Sequence, residues 1–378
     1  MSLRILSVTV SIVLGTTFVI DGNAHAESTL QLRKPTVAEG AIVEGIQQAI
    51  LGGIQARFNQ TKKATRDAHA KHHGCVLANF TVLPGLEQKD LNYGVFSIPG
   101  KTYPAVIRYS NGSGDPNEDD RKPGGRGMAV KVMGVTGTRI LASDMDDEQF
   151  TQDFQMINYP AFFAKDLPDY IKFMTDPQSF FGTHPEEAAV IQALNDPQLD
   201  PPADPLSYTY YSMTPRQLGT VVNGSAQEIR PVKFSARPIP CNDGAALGTI
   251  PLDLQSPNAL SIALKQHLDT QAACYEFRIQ RQTNDTDMPV ENPVKIWNET
   301  QSPFVPVARI EIFAKQDFAK RDTQCEDLSI TPWHSLIEHQ PLGGIELARK
   351  AVYQATSELR HRLNQRPRRE PKGFGDFN

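Results

Sequence analysis

The chain has 378 residues, 39% of them hydrophobic and 21% charged, and a net charge of −5. That length buries a substantial core in one large domain or two ordinary ones, and the composition excludes a disordered or fibrous chain. The mild negative charge gives no electrostatic footprint for nucleic acid or for an anionic membrane surface.

The first 26 residues read as a secretory signal peptide. Arg4 supplies the positive start, residues 5–20 are mostly apolar, and Ala24-His25-Ala26 fits a small-x-small cleavage site. The chain is therefore expected to be exported, periplasmic or secreted, with no integral membrane segment after the signal is removed. Export makes Cys75, Cys241, Cys274 and Cys325 candidates for disulfides, and their spacing does not choose among the three pairings. They form no CxxC or other zinc-ligand spacing. Cys75 opens an apolar run and is expected to be strand core rather than bridged. Residues 27–60 form an N-terminal arm, in which 43–58 (VEGIQQAILGGIQARF) has the apolar spacing of an amphipathic helix, weakened by Gly52 and Gly53.

A polar, histidine-bearing stretch with Arg66, His69 and Lys71 runs into the apolar segment 75–80. That is the pattern of a strand whose first residues face a pocket, or of an ordinary strand behind a basic turn. From 74 to 134 the runs 76–82, 94–98, 105–110 and 128–133 are strand-like, separated by Gly, Pro or Asp clusters. The acidic loops 111–125 and Asp144–Glu148 read as solvated turns or as the rim of a pocket. Short helices are predicted near 167–175 and 186–195, and strands at 230–236, 273–280 and 305–312. A helix over 344–363 follows, and then a basic tail, 364–378, that is disordered or lies on the surface. The order of elements predicts an α+β domain, 61–363, built round a barrel-like sheet.

Two stretches carry the chemistry. Along a strand Arg108 and Ser110 share a face, so both look either to solvent or to a polar buried ligand. On the C-terminal helix Arg349 and Tyr353 are i,i+4 neighbours, and Arg360 lies about 20° from Arg349 round the wheel. One helix face thus presents Arg, Tyr, Arg. It is either a solvated basic face or a tyrosine held beside a permanent cation, which favours the phenolate. An arginine-paired tyrosinate is one of the few protein ligands for haem iron.

Five stretches together, Arg66-x-x-His69-Ala-Lys71, Val106-Ile-Arg108-Tyr-Ser110, Arg126-Gly-Met-Ala-Val-Lys131, Asn158-Tyr-Pro160-Ala-Phe162-Phe163 and Arg349-x-x-x-Tyr353, resemble the haem catalase superfamily in order. The segment 332–344 resembles its small, catalase-related peroxidase branch. The resemblance runs from about residue 61 to 363. It implies a catalase-like antiparallel β-barrel with surrounding and C-terminal helices, holding haem b. It makes His69 the distal acid–base histidine, with Ser110 fixing its tautomer. Tyr353 becomes the iron ligand and Arg349 its partner. Arg66 and Arg108 are implied as propionate-binding arginines, with Arg360 or Arg362 as a third. The family's distal asparagine falls by gap-free match on Ile157, and Asn158, one residue later, becomes the candidate for that role. The histidine pair His72-His73 replaces small residues, and no carboxylate in the sequence completes a metal site with it. The implied activity is an exported hydroperoxidase that reduces hydrogen peroxide or organic hydroperoxides through a ferryl intermediate, with an unassigned electron donor as partner and a homo-oligomer allowed. The alternatives are a fatty-acid hydroperoxide isomerase or dehydratase on the same fold, and a haem-binding protein without turnover.

Overall fold

The alternation that marks a two-sided strand is explicit in β1 (His72–Val82): Val76, Ala78, Phe80 and Val82 enter one core, while Cys75 and Leu77 enter another. The computed structural model describes residues 34–377 apart from 142–149, 199–201, 220, 223–224, 227–229, 243–247, 249 and 369. The expected signal peptide (1–26) and the acidic loop Asp144–Glu148 lie outside the described residues. β1 pairs antiparallel with β2 (Thr102–Asn111), β2 with β3 (Arg126–Met133) and β3 with β4 (Thr151–Ile157). The two-residue β5 (Tyr210–Tyr211) continues the sheet to β9 (Arg230–Ile239), and β6 (Arg216–Leu218) joins β9; β7 (Val221–Val222) and β8 (Ser225–Ala226) form a separate hairpin. β9 pairs with β10 (Ala273–Arg281), β10 with β11 (Val305–Ile312) and β11 with β1. Eight strands therefore close an antiparallel barrel, which leaves no unpaired edge between them.

The barrel is filled, not hollow. Phe80, Phe96, Phe154, Phe234 and Phe277 interleave inside it, with Phe154 only 4.8 Å from Phe277 and 5.0 Å from Phe234 by ring centroid. The run 94–98, expected as a strand, is a 3-10 turn at Gly94–Phe96 that plugs one end of the barrel. Its Val95 N–H donates to His339 Nε2 at 3.0 Å, and Gly94 has φ +56° where a Cβ would strike the His339 ring.

Outside the barrel lie α1 (Val37–Thr61), α2 (Leu167–Thr175), α3 (Pro177–Thr183), α4 (Pro185–Asn195), α5 (Ala259–Thr270), α6 (Phe318–Glu326) and α7 (Gly344–Asn364). The expected N-terminal arm is a 25-residue helix that begins on a capping box between Thr36 and Glu39 and runs through both glycines. Its Ile46, Ile50 and Ile54 pack with Leu167, Ala348 and Leu359, and that apolar seam joins α1 to α7.

Two expectations are corrected here. Cys75 is fully buried strand core and also bridged, to Cys325, while Cys241 pairs with Cys274. The segment after Asn364 is docked on the barrel rather than free. Phe377 is buried with Cys75, Leu77 and Val106, and Glu370 with Lys131. Two disulfides fit an oxidising, extracellular environment. Among the described residues no helix is long and apolar enough to cross a membrane.

Candidate functional site

A cavity of about 490 Å³ lies between the outer face of β2–β4 and the helices α1 and α7. Its strand wall is a consequence of register. Arg108 stands opposite Ala129, which stands opposite Gln155, and Ser110 stands opposite Gly127, which stands opposite Ile157. Residues paired across antiparallel strands share a face, so all six line the cavity.

His69 sits in the bend before β1 with φ +58°, a left-handed conformation that costs a non-glycine residue energy and must be held by its surroundings. Its N–H donates to Gly112 O at 3.2 Å, and its Nδ1 lies 3.0 Å from Ser110 Oγ. That contact leaves Nε2 as the ring nitrogen available to the cavity. Gly127 is what lets the ring lie there, because a Cβ on it would stand 2.6 Å from His69 Nδ1 and 2.7 Å from Ser110 Oγ. Burial, then the Arg108, Arg349 and Arg66 charges, lower the His69 pKa to about 4, so the imidazole is neutral at physiological pH. Just beyond, His73 is the extra residue of a β-bulge, where the β1–β2 register shifts between His72 and Gly74.

The helix wall carries Arg349 and Tyr353 on α7. Arg349 Nη2 donates to the Tyr353 hydroxyl at 3.4 Å and its Nη1 to Thr214 Oγ1 at 3.1 Å, with Glu346 as its ion-pair partner. Burial works against this cation, but Glu346 and Tyr353 outweigh it and raise the Arg349 pKa above its ordinary value.

A cationic corner joins the two walls. Arg66, Arg108 and Arg360 all line the cavity around Glu326 at the end of α6, the first two paired with its carboxylate and Arg360 bonded to its backbone carbonyl. Arg66 reaches the carboxylate at 2.9 Å and Arg108 at 3.4 Å, and His72 Nδ1 lies 2.9 Å from it. The Arg66 guanidinium also donates to Cys325 O and Leu328 O, and Arg360 to Glu326 O and Leu328 O. Crowding shows in the titration. Burial, then Arg66, lower both Arg108 and Arg360 to about 9, while Arg66, His72 and Arg108 overcome burial and hold Glu326 well below the carboxylate range.

The structure thus brings together His69, Ser110, Arg66, Arg108, Arg349, Tyr353 and Arg360. It separates two of the expected residues from them. Arg362 is exposed on α7 and is not among the cavity-lining residues. Asn158 is also outside the lining: its Oδ1 accepts from Arg126 N at 2.7 Å, and Ile157 faces the cavity in its place. A one-residue step along a strand turns a side chain to the other face, which is why Asn158 cannot stand in for Ile157. Sequence reasoning missed Gln155, Tyr170 and Glu326. Gln155 is two residues from Ile157 on the same strand face, so the alternation could have found it; Glu326 lies in a helix the sequence did not announce.

No protein-family model matches the chain. Solved structures similar to it include three catalases. They are a fungal catalase (TM-score 0.58, 18% identity, 82% of this chain and 61% of that one), catalase A from Saccharomyces cerevisiae (0.60, 20%, 82% and 63%) and a bacterial catalase (0.60, 15%, 92% and 66%). The chain has the catalase fold. Within that fold the closed eight-stranded barrel and the helix bearing Tyr353 match the architecture expected from the motifs. The chain is also 28% identical over 207 residues to a catalase-related peroxidase of Mycolicibacterium paratuberculosis, a match that covers 54% of this chain and 62% of that protein. The matched part is less than two thirds of each of these catalase-fold relatives.

Proposed function

We propose that the chain is an exported haem-b hydroperoxidase of the catalase-related branch, reducing hydrogen peroxide or organic hydroperoxides with electrons from a small donor. The observation that carries this reading is the pairing, across one cavity, of Tyr353 with Arg349 on α7 and of His69 with Ser110 on the barrel.

The side chains present suit haem b. Arg66, Arg108 and Arg360 against Glu326 leave two positive charges in one corner, the complement of two propionate carboxylates. Tyr353 supplies an oxygen ligand beside a guanidinium that favours its anionic form. Haem b, when bound, would supply a Lewis-acidic ferric iron for a peroxide oxygen and the two electrons that reduce the O–O bond, which the small donor then restores. His69, neutral and with Nε2 available, takes the proton from one peroxide oxygen and returns it to the other, a transfer typically worth about 10²–10⁴ in rate. Ser110 holds the tautomer that permits this, and Arg349 keeps the tyrosinate charged. Phe162 and Phe163 line the same cavity and add apolar surface to it.

A second reading, a hydroperoxide isomerase or dehydratase, is favoured by the apolar side chains Ile157, Ile191, Leu194 and Met213, which also line the cavity and suit a lipid tail. Both readings predict a high-spin ferric absorption spectrum of tyrosinate type for the haem-loaded protein, lost or changed in Tyr353→Phe. An unchanged spectrum in that variant refutes the ligand assignment. Peroxide consumption should fall by about 10²-fold or more in His69→Ala. Products formed from a lipid hydroperoxide without added donor separate isomerase from peroxidase.

A further inference from the structure

We propose that Gln155 is the amide that binds the peroxide group in the cavity, opposite His69; the assignment rests on the hydroperoxidase reading above. Gln155 lies on β4 opposite Ala129 and two residues before Ile157, and all three line the cavity. Both polar atoms of its carboxamide, Nε2 and Oε1, are buried and have no hydrogen-bond partner in the chain. Leaving such a group unpaired costs about 1–3 kcal/mol. Of the other polar side chains of this strand, Thr151 Oγ1 is also unpaired but is not among the cavity-lining residues, while Asp153 pairs with Lys131 at 3.0 Å and Gln152 Nε2 donates to Ser335 Oγ at 3.1 Å. The Asn158 amide oxygen accepts from the backbone of Arg126. Gln155 alone among these lines the cavity with both its donor and its acceptor unpaired.

The surroundings select the ligand. Ala129 and Ile157 share its strand face and Phe162 lines the same cavity, so its partner is a small polar group carried into an apolar place. A hydroperoxide has one O–H donor and two oxygen acceptors, which the carboxamide complements at Oε1 and Nε2. Gly127 holds the His69 ring against β3, and Gln155 is one strand over and two residues along. Its Cα is therefore about 8 Å from that of Gly127, and both side chains belong to the same wall of the cavity.

The test uses the full haem-loaded protein in its ferric state, titrated optically with azide as a probe that binds without turnover. Gln155→Leu is expected to weaken azide binding by about three- to tenfold, the value of one hydrogen bond. Asn158→Ala is expected to leave it within about twofold. The haem-free Gln155→Leu protein is expected to melt no lower than the parent, because the change removes an amide that no protein group satisfies. Gln155→Met, which keeps the side chain's length, decides the matter if the leucine variant fails to fold. Azide affinity equal to the parent's in the folded variants, or a lower melting temperature for both haem-free variants, overturns the assignment. Failure of the parent to take up haem refutes instead the hydroperoxidase reading, and Gln155 with it.

Discussion

His69 is neutral for the same reason that the site is acid-sensitive. Burial is the largest cause of its depressed pKa of about 4, and burial likewise lowers His339 to about 3 and His73 well below its ordinary value. Each of these histidines binds a proton near pH 6.5 when unfolded but not when folded. Between those values the unfolded chain holds more protons, so stability rises with pH and is lost as pH falls from about 6.5 toward 4. Asp153 and Glu326, held below the carboxylate range by their cationic partners, add to the loss only at lower pH. The haem-free protein should therefore show a melting temperature that drops steeply between pH 6.5 and 4.5. His339→Gln, which keeps an acceptor for Val95 but cannot titrate there, should flatten that slope. A melting temperature constant from pH 7 to 5 in the parent would contradict the account. Single residues were the most legible level in the sequence: His69, Arg108, Ser110, Arg349 and Tyr353, which the motifs singled out, line one cavity. Asn158 does not, because a motif matched along the chain carries no information about which face of β4 a side chain takes.

At the level of elements, legibility followed hydrophobic pattern. β1, β2 and β3 stand out because their barrel-facing residues between Val76 and Val82, Tyr103 and Tyr109, and Met128 and Val132 are apolar. β4 does not, since Gln152, Asp153 and Gln155 break its pattern, and the partners of the first two, Ser335 and Lys131, lie outside any local window. The tail after Asn364 read as disordered or surface-lying for its charge, prolines and glycines; Glu370 is buried at 2.7 Å from Lys131, and Arg368 lies 3.3 Å from Glu370. Lys131 is fully buried, so its charge needs both Asp153 and Glu370. Deleting residues 366–378 should destabilise the protein by about 3–5 kcal/mol, the cost of leaving a buried ion short of its partner. Glu370→Gln alone should account for much of that loss in a denaturant titration. A truncated chain as stable as the parent would mean that the tail contributes nothing to the fold.

The whole molecule is a barrel with a cavity pinned to its outside by segments far apart in the chain. The Cys75–Cys325 bridge spans 250 residues and fixes the end of α6, whose carboxylate and carbonyls hold the arginine corner. Cys75→Ala with Cys325→Ala should cost about 2–5 kcal/mol of stability. It should also weaken haem capture more than loss of the Cys241–Cys274 bridge does, as read by haem titration of the two double variants. Equal haem affinity in both would show that the corner does not depend on the clamp. The same remoteness appears at the junction of the two long helices, where Ala64 N donates to Asn364 Oδ1 and Asn364 Nδ2 to Ala64 O, each at 2.9 Å across 300 residues. At about 5–20 residues per second, the ribosome delivers the second partner some ~15–60 s after the first. Throughout that interval the apolar seam of α1 and the strand wall beneath His69 have no cover, so a nascent chain waits half-finished, open to a holding chaperone, until its last helix arrives.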